Sequence, residues 1–193
     1  MSERVPEGWE IRPLSALADY HNGRAFKPED WSKQGLPIVR IAQINNPFRE
    51  TDHYSGSDVL DRHLIRKGDL VFSWSATLKA ILWNEYDAIL NQHIFKVTSN
   101  EYPKFFYFFE LNRYLNHFKM MAENRKTTMG HITQEHLQQS KILTPSKDLI
   151  DKLDVIIDPL LEKIIHCEKE NTTLLNLRNW LMPFLINGHA IKT

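Results

Sequence analysis

The residues able to do chemistry in this chain do not assemble into a catalytic signature. There is no glycine-rich loop ending in Lys-Ser/Thr, the pattern that cradles a nucleotide phosphate. No Gly-x-Ser-x-Gly elbow presents a serine nucleophile. The nine histidines are scattered, and His131 and His136, five residues apart, have no cysteine or carboxylate cluster around them to complete a zinc site. Asn45-Asn46-Pro47-Phe48 approaches the Asn/Asp-Pro-Pro-aromatic tetrad that holds an amino group for methylation. Its first proline is absent and no glycine-rich cofactor loop accompanies it, so it reads as a turn. Glu168-Lys169-Glu170 lies in a helical pattern, where a solvated face accounts for the charges. The chain is expected not to be an enzyme.

What remains is polar and lies in loops. Segments 23–35, 43–53 and 125–131 mix Arg or Lys with amide, hydroxyl or imidazole side chains. Arg and the amides have the two-pronged geometry that reads base edges, while Lys, Ser and Thr suit phosphates. The candidates are Arg24 and Lys27, then Gln43, Asn45, Asn46 and Arg49, then Arg125, Lys126, Thr127 and Thr128. A strand end adds Ser73 and Trp74, with Lys79 nearby, and Asn91-Gln92-His93 extends the set. Composition alone leaves base reading and an ordinary polar surface both open. Arg40 is equally a structural ion-pair partner, and Trp74 equally a core residue.

The charge balance narrows the classes. Lys and Arg number 24, as do Asp and Glu, so the 193-residue chain is neutral overall. A stand-alone nucleic-acid binder is usually basic. Either nucleic acid is not the partner, or binding rests on a local patch and on another subunit. A length of 193 residues holds one good domain and an appendage. The lone Cys167 excludes an internal disulfide and a cysteine-based metal site. With no membrane-length apolar run and no signal-peptide pattern in Met-Ser-Glu-Arg-Val-Pro, a cytoplasmic protein is expected.

The elements that must position the loops are mostly strands. Gly8 to Leu17 reads as a short strand and turn, and Ser15 to Tyr20 as a helical turn closed by Asn22-Gly23. Leu36 to Ile41, Leu70 to Ser75, Lys79 to Trp83, Ala88 to Leu90, His93 to Val97 and Ser140 to Leu143 read as strands. Ala42 to Ser57 reads as a long loop and Pro103 to Met121 as an aromatic-rich helix. Thr133-Gln-Glu-His136 resembles a capping box with its Glu one place early.

Residues 147–187 form the organising stretch. Leu149, Leu153, Ile156, Leu160, Ile164, Cys167, Leu174, Leu177, Leu181 and Leu185 recur at helical steps, with Asn171 on the same line. Ser146 suits the N-cap and Gly188 the helix end. About forty residues make a rod of roughly 60 Å. Such a stripe is too long to bury against a small domain and calls for a second helix. Pro159 leaves two alternatives, one kinked rod or two consecutive helices; the stripe keeps its phase across it, which favours the rod. Cys167 on this stripe reads as a packing residue rather than a reactive thiol. The expected architecture is α+β: a β-rich α/β globular domain over residues 1–145, then a long C-terminal α-helix over 146–193 that pairs as an antiparallel coiled coil.

Several stretches, in order, resemble the DNA-specificity subunit of type I restriction–modification systems. They are Gly8-Trp9 with Leu14, Asn22-Gly23, Gly35-Leu36-Pro37-Ile38-Val39-Arg40-Ile41, Lys67-Gly68-Asp69-Leu70-Val71-Phe72-Ser73 and Asn91-Gln92-His93. Thr127-Thr128-Met129-Gly130-His131-Ile132-Thr133, His136-Leu137 and the long helix ending Asn187-Gly188 complete the set. The resemblance implies a target-recognition domain followed by a helical spacer, and no catalysis in this chain. Methyl transfer and cleavage would belong to partners; S-adenosylmethionine would bind the methyltransferase subunit, and this chain would hold no cofactor. Double-stranded DNA and methyltransferase subunits are the implied partners, with an endonuclease subunit left open. A usual subunit of this family carries two recognition domains and two spacers, whereas this chain carries one of each. Two copies are therefore expected to pair through the stripe Leu149, Leu153, Ile156, Leu160, Ile164, Cys167, Leu174, Leu177 and Leu181 and to read a split palindrome. The alternative is a non-catalytic protein-interaction adaptor that dimerises through the same helix. A DNA-mimic antagonist is denied by the balanced charge.

Overall fold

The computed structural model describes residues 5–47, 49–124 and 132–186. Ten short strands and four helices follow in order: β1 (Glu10–Pro13), β2 (Asp19–Asn22), β3 (Leu36–Val39), α1 (Ile41–Asn45), β4 (His53–Tyr54), β5 (Leu64–Ile65), β6 (Leu70–Ser73), β7 (Lys79–Leu82), β8 (Ala88–Leu90), β9 (Ile94–Thr98), α2 (Lys104–Asn124), α3 (Gln134–Gln139), β10 (Lys141–Thr144) and α4 (Lys147–Ile186). The architecture is mixed α+β, with a long C-terminal helix.

Two four-stranded sheets form the body, in the orders β2-β9-β6-β7 and β4-β3-β8-β5. The first is antiparallel, with Phe72 opposite Phe95 between β6 and β9. The second includes a parallel pair, Ile38 opposite Ile89 and Val39 opposite Leu90. Alternation along β6 explains the layering. Leu70 and Phe72 face a core shared with α2, α3 and α4, while Val71 faces a core shared with β3, β5 and β8. The central sheet is therefore buried on both faces, which is why β6 reads as a continuous apolar run. Phe72 and Phe118 are fully buried in the first core, each removed from water for about 1.5–3 kcal/mol. Lys96, on β9, is buried on the other face. Its ammonium lies 3.2 Å from Asp69 and donates at 2.7 Å to the Leu64 carbonyl, so the charge is paired and hydrogen-bonded.

A two-stranded ribbon joins the ends of the domain: β1 pairs antiparallel with β10, Ile11 opposite Leu143. The rod leaves immediately after it. The Ser146 carbonyl accepts from the Leu149 and Ile150 amides to start α4, and the helix runs unbroken through Pro159 and Pro183. Pro159 has no amide hydrogen, so the Val155 carbonyl loses its usual i+4 donor. Yet the helix stays continuous, in favour of one rod over two helices.

Three expectations require correction. Residues 19–22 are a strand rather than the end of a helical turn: Tyr20 packs edge-on against Phe95 at 5.8 Å, and that contact favours pairing with β9. Residues 42–57 are not one structureless loop, because α1 and β4 lie within them. The third concerns α4. Its first half does bury against its own domain, through a second stripe in which Ile150, Leu161 and Ile165 are buried and Leu153 and Ile157 half-buried. Leu153, expected on the pairing stripe, is thus shared with the domain core. Beyond Ile165 the described helix is almost wholly exposed, a projection of about 30 Å.

Candidate nucleic-acid interface

The strand directions gather the candidate loops at one end of the body. Asn22 at the end of β2 lies opposite Phe95, Ser73 at the end of β6 lies opposite both Ile94 and Lys79, and Val39 at the end of β3 lies beside Leu90. The segment after β2, the helix α1, the β6–β7 turn and the β8–β9 turn therefore leave from the same side. Cross-contacts fuse them. Arg24 bridges to Asn91 and Ser32 to His53; Arg40 lies over the Trp31 ring at 5.6 Å; the Lys79 ammonium donates at 3.1 Å to the Ile44 carbonyl. The Ile132 amide donates to the Trp74 carbonyl, so the chain preceding α3 arrives at this end as well.

Two glycines make this packing possible. A Cβ on Gly23 would lie 2.3 Å from the carbonyl oxygens of Leu90 and Asn91, so only hydrogen lets the two turns touch. Gly35 has φ +104°, and a Cβ there would lie 2.2 Å from the Tyr54 carbonyl. Both glycines belong to the stretches that carry the family resemblance. Those stretches build the scaffold under the loops.

The candidate side chains divide by environment. Lys27, Asn46 and Arg49 are exposed on the loops, and Asn45 is exposed at the end of α1. Gln43 is buried and serves its own loop: its carbonyl oxygen accepts from the Arg40 amide at 3.1 Å, and its amide donates to the carbonyls of Arg49 and Glu50. It shapes α1 from within, whereas the sequence pattern places it among the exposed contacts. Ser73 is fully buried, with its hydroxyl directed to the Ser75 carbonyl, rather than exposed at the strand end. Arg24 is held by Asp58 at 2.6 Å and Asp30 at 3.7 Å and lies 4.5 Å over the Tyr54 ring. The Tyr54 hydroxyl donates to Asp58, and this hydrogen bond, with that from Arg24, holds the Asp58 carboxyl below its usual range. Arg24 thus fastens its loop. Arg40 pairs with Asp52 at 3.0 Å, its structural role. Half-buried Trp74 stands against His93 and Phe95 and donates to Asn22 at 3.1 Å. Lys79 is half-buried at the root of the β6–β7 turn. Arg125, Lys126, Thr127 and Thr128 lie outside the described residues.

Two features escaped the residue-type survey. Ala76, at the tip of the β6–β7 turn, has φ +56°, a left-handed conformation that a non-glycine residue adopts at a cost. Nothing in the local sequence announces it. The rod is also gripped at the opposite end of β7: Asn84 is buried and donates at 2.5 Å to the Ile165 carbonyl of α4. Burial raises the neighbouring Glu85 carboxyl above its ordinary range, with Lys169 of the rod opposing the shift. The loop end and the rod-gripping end are thus separated by the length of β7, about 13 Å. Among the described residues no cluster of His, Cys, Asp and Glu could hold a metal ion, and no helix is long and apolar enough to cross a membrane.

The body thus presents fused polar loops at one end, and the part of α4 beyond Ile165 projects from it almost wholly exposed. The chain belongs to the family described as the type I restriction modification DNA specificity domain, which it matches over residues 6–176. It is 24% identical to the HindI specificity subunit of Haemophilus influenzae over 95% of its own length and 42% of that protein's. It is 21% identical to the MjaIX specificity subunit of Methanocaldococcus jannaschii, over 97% and 46%. The crystal structure of the HsdS subunit from Thermoanaerobacter tengcongensis shares the fold, with a TM-score of 0.56 at 17% identity over 95% of this chain and 46% of that one. The type I S subunit from M. genitalium gives 0.54 at 14% identity, over 94% and 47%. The chain spans less than half the length of each of these proteins.

Proposed function

We propose that this chain acts as a DNA-specificity subunit that directs methyltransferase subunits to a bipartite target, and that two copies, paired through α4, together do the work of one full-length subunit. The observation that carries this reading is the exposed stripe of α4. Leu149, Ile156, Leu160, Ile164, Leu174, Leu177 and Leu181 are all at least a third exposed in the single chain. Contiguous apolar surface on this scale marks an interface. Paired rods place two recognition domains under two-fold symmetry, so the target is a split palindrome. The chain itself performs no bond chemistry; S-adenosylmethionine would be held by the methyltransferase. That partner would also supply much of the phosphate contact that a neutral chain lacks.

Lys27, Asn45, Asn46 and Arg49 are the retained base and phosphate contacts on the described loops, with Arg125, Lys126, Thr127 and Thr128 proposed beside them. Light scattering over a concentration series tests the pairing. A dimer at tens of micromolar that dissociates on Leu160→Asp supports it; a monomer at all concentrations contradicts it. Leu160 is the cleaner probe than Leu153, which also packs on the domain. An adaptor would dimerise too, but would show no sequence-selective DNA binding when a cognate methyltransferase is added.

A further inference from the structure

Of the five tryptophans only Trp31 and Trp180 are exposed, and Trp180 lies on the rod. Trp31 is therefore the exposed indole of the body, 47% accessible, and it stands in the segment after β2, beside the Arg40 that begins α1. A single exposed apolar side chain needs no explanation by itself. What marks Trp31 is how firmly it is held. Its amide donates at 3.2 Å to the Pro28 carbonyl, closing the short helical turn Pro28–Asp30. The next residue, Ser32, exchanges both backbone hydrogen bonds with His53 of β4, at 2.8 and 2.9 Å. The backbone is thus fixed on both sides of the indole.

The ring is fixed as well. The Arg40 guanidinium lies 5.6 Å from its centroid and is itself pinned, donating at 3.0 Å to the Thr51 hydroxyl and at 3.0 Å to Asp52. The same segment builds a second stack of a guanidinium on aromatic rings, and the two differ in one respect. Arg24 lies 5.6 Å from the Phe26 centroid and 4.5 Å from that of Tyr54, but Tyr54 is buried and Phe26 half-buried, so that stack is closed and fastens its loop. The stack of Arg40 on Trp31 is open to solvent. A side chain as large as tryptophan ordinarily gains stability by burial. Here it is ordered in water instead. Its apolar surface meets a partner with little further loss of side-chain freedom, the condition that makes a contact strong.

We propose that Trp31 is a DNA contact that meets the apolar surface of the target duplex, with Arg40 as its positioning residue. This rests on the DNA-specificity reading above and adds a contact of different chemistry from the polar candidates. In a stacked duplex the base faces are hidden. The apolar groups open to an indole are thymine methyls in the major groove and the rims of the deoxyriboses. Either one supplies affinity that needs no net positive charge, which suits a neutral chain. The methyl carries sequence information and the sugar does not.

The test uses the full chain with its cognate methyltransferase subunit and a duplex carrying a site that the wild-type complex methylates. Trp31→Ala should weaken binding about tenfold or more, and Trp31→Phe much less, with both unfolding midpoints at the wild-type value. The dependence of affinity on salt should keep its slope, because no phosphate contact is lost. Replacing single thymines of the site by deoxyuridine then separates the two sources. A position where deoxyuridine weakens the wild type but not Trp31→Ala identifies a thymine methyl; a loss in Trp31→Ala with no such position identifies the sugar. Equal binding by wild type and Trp31→Ala would overturn the proposal, as would a shallower salt slope or a loss matched by a lower unfolding midpoint. A wild-type complex without sequence preference would remove the DNA-specificity reading itself, and this contact with it.

Discussion

Gln43 and Arg49 stand six residues apart in one polar segment, the first buried and the second exposed. Gln43→Ala should cost stability, about 1–3 kcal/mol, because the Arg40 amide and the Arg49 and Glu50 carbonyls lose their partner; thermal or urea unfolding reads this. Arg49→Ala and Asn45→Ala should leave stability within about 0.5 kcal/mol and should instead weaken target recognition, measured as methylation in the reconstituted complex. A true base reader among them relaxes one position of the site at about 1–3 kcal/mol, whereas a phosphate contact lowers binding to every sequence alike. Ala76 gives a third residue-scale prediction. Ala76→Gly relieves a left-handed backbone and should raise stability by about 1 kcal/mol; an unchanged or lower unfolding midpoint would count against strain at this turn. The candidacy of Asn45 and Arg49 was legible in the sequence; the inward engagement of Gln43 and the left-handed turn at Ala76 were not. Amide and guanidinium groups look alike in a polar loop until the fold shows which have partners, and both Arg24 and Gln43 are engaged within their own loops.

At the scale of elements the strands were legible and the tertiary-supported pieces were not. Leu70-Val71-Phe72 and Ile38-Val39 announce themselves because strands buried on both faces need unbroken apolar runs. The five-residue helix α1 has no such pattern. It is held by the Gln43 side chain from within and by Lys79 donating to the Ile44 carbonyl from a different strand. The cap of α3 was half legible: the Thr133 amide donates at 3.0 Å to Nδ1 of His136, so histidine stands where a capping box usually has Glu. The second stripe of α4 was missed because Ile150, Ile157, Leu161 and Ile165 fall next to the first and merely widen it. That stripe ties the rod to the domain, and its rim holds two titratable groups. Burial raises Glu85 above its ordinary range, with Lys169 opposing; burial, then Asp158 and Asp151, raises Asp154. A carboxyl whose folded pKa is raised contributes its full stability below the unfolded value and loses it as pH climbs through the folded one. Stability should therefore fall across the window just above the ordinary carboxylate range, and Glu85→Gln should flatten that fall. A pH profile of the unfolding midpoint identical in the two proteins would contradict this account of the rim.

For the whole molecule, the near-zero net charge and the long unpaired rod have one explanation. On the proposed reading the chain works as part of an assembly, with recognition at the loop end and a second helix on the exposed stripe of α4, while Asn84 grips the rod at the other end of β7. The rod's length, its N-cap and its phase across Pro159 were all legible, because a helix of forty residues repeats its pattern many times. The orientation of the domain on the rod was not, since it depends on Asn84 reaching a backbone carbonyl on a helix 81 residues later in the chain. Asn84→Ala should lower stability by about 1–3 kcal/mol without altering half-site sequence. The measurement that bears most directly on the central claim is a genome-wide map of methylated sites produced by this chain together with its cognate methyltransferase subunit. Two identical half-sites in inverted orientation, separated by a fixed unspecified gap, are the predicted result. Methylation at an asymmetric target, or methylation without sequence preference, would contradict the account.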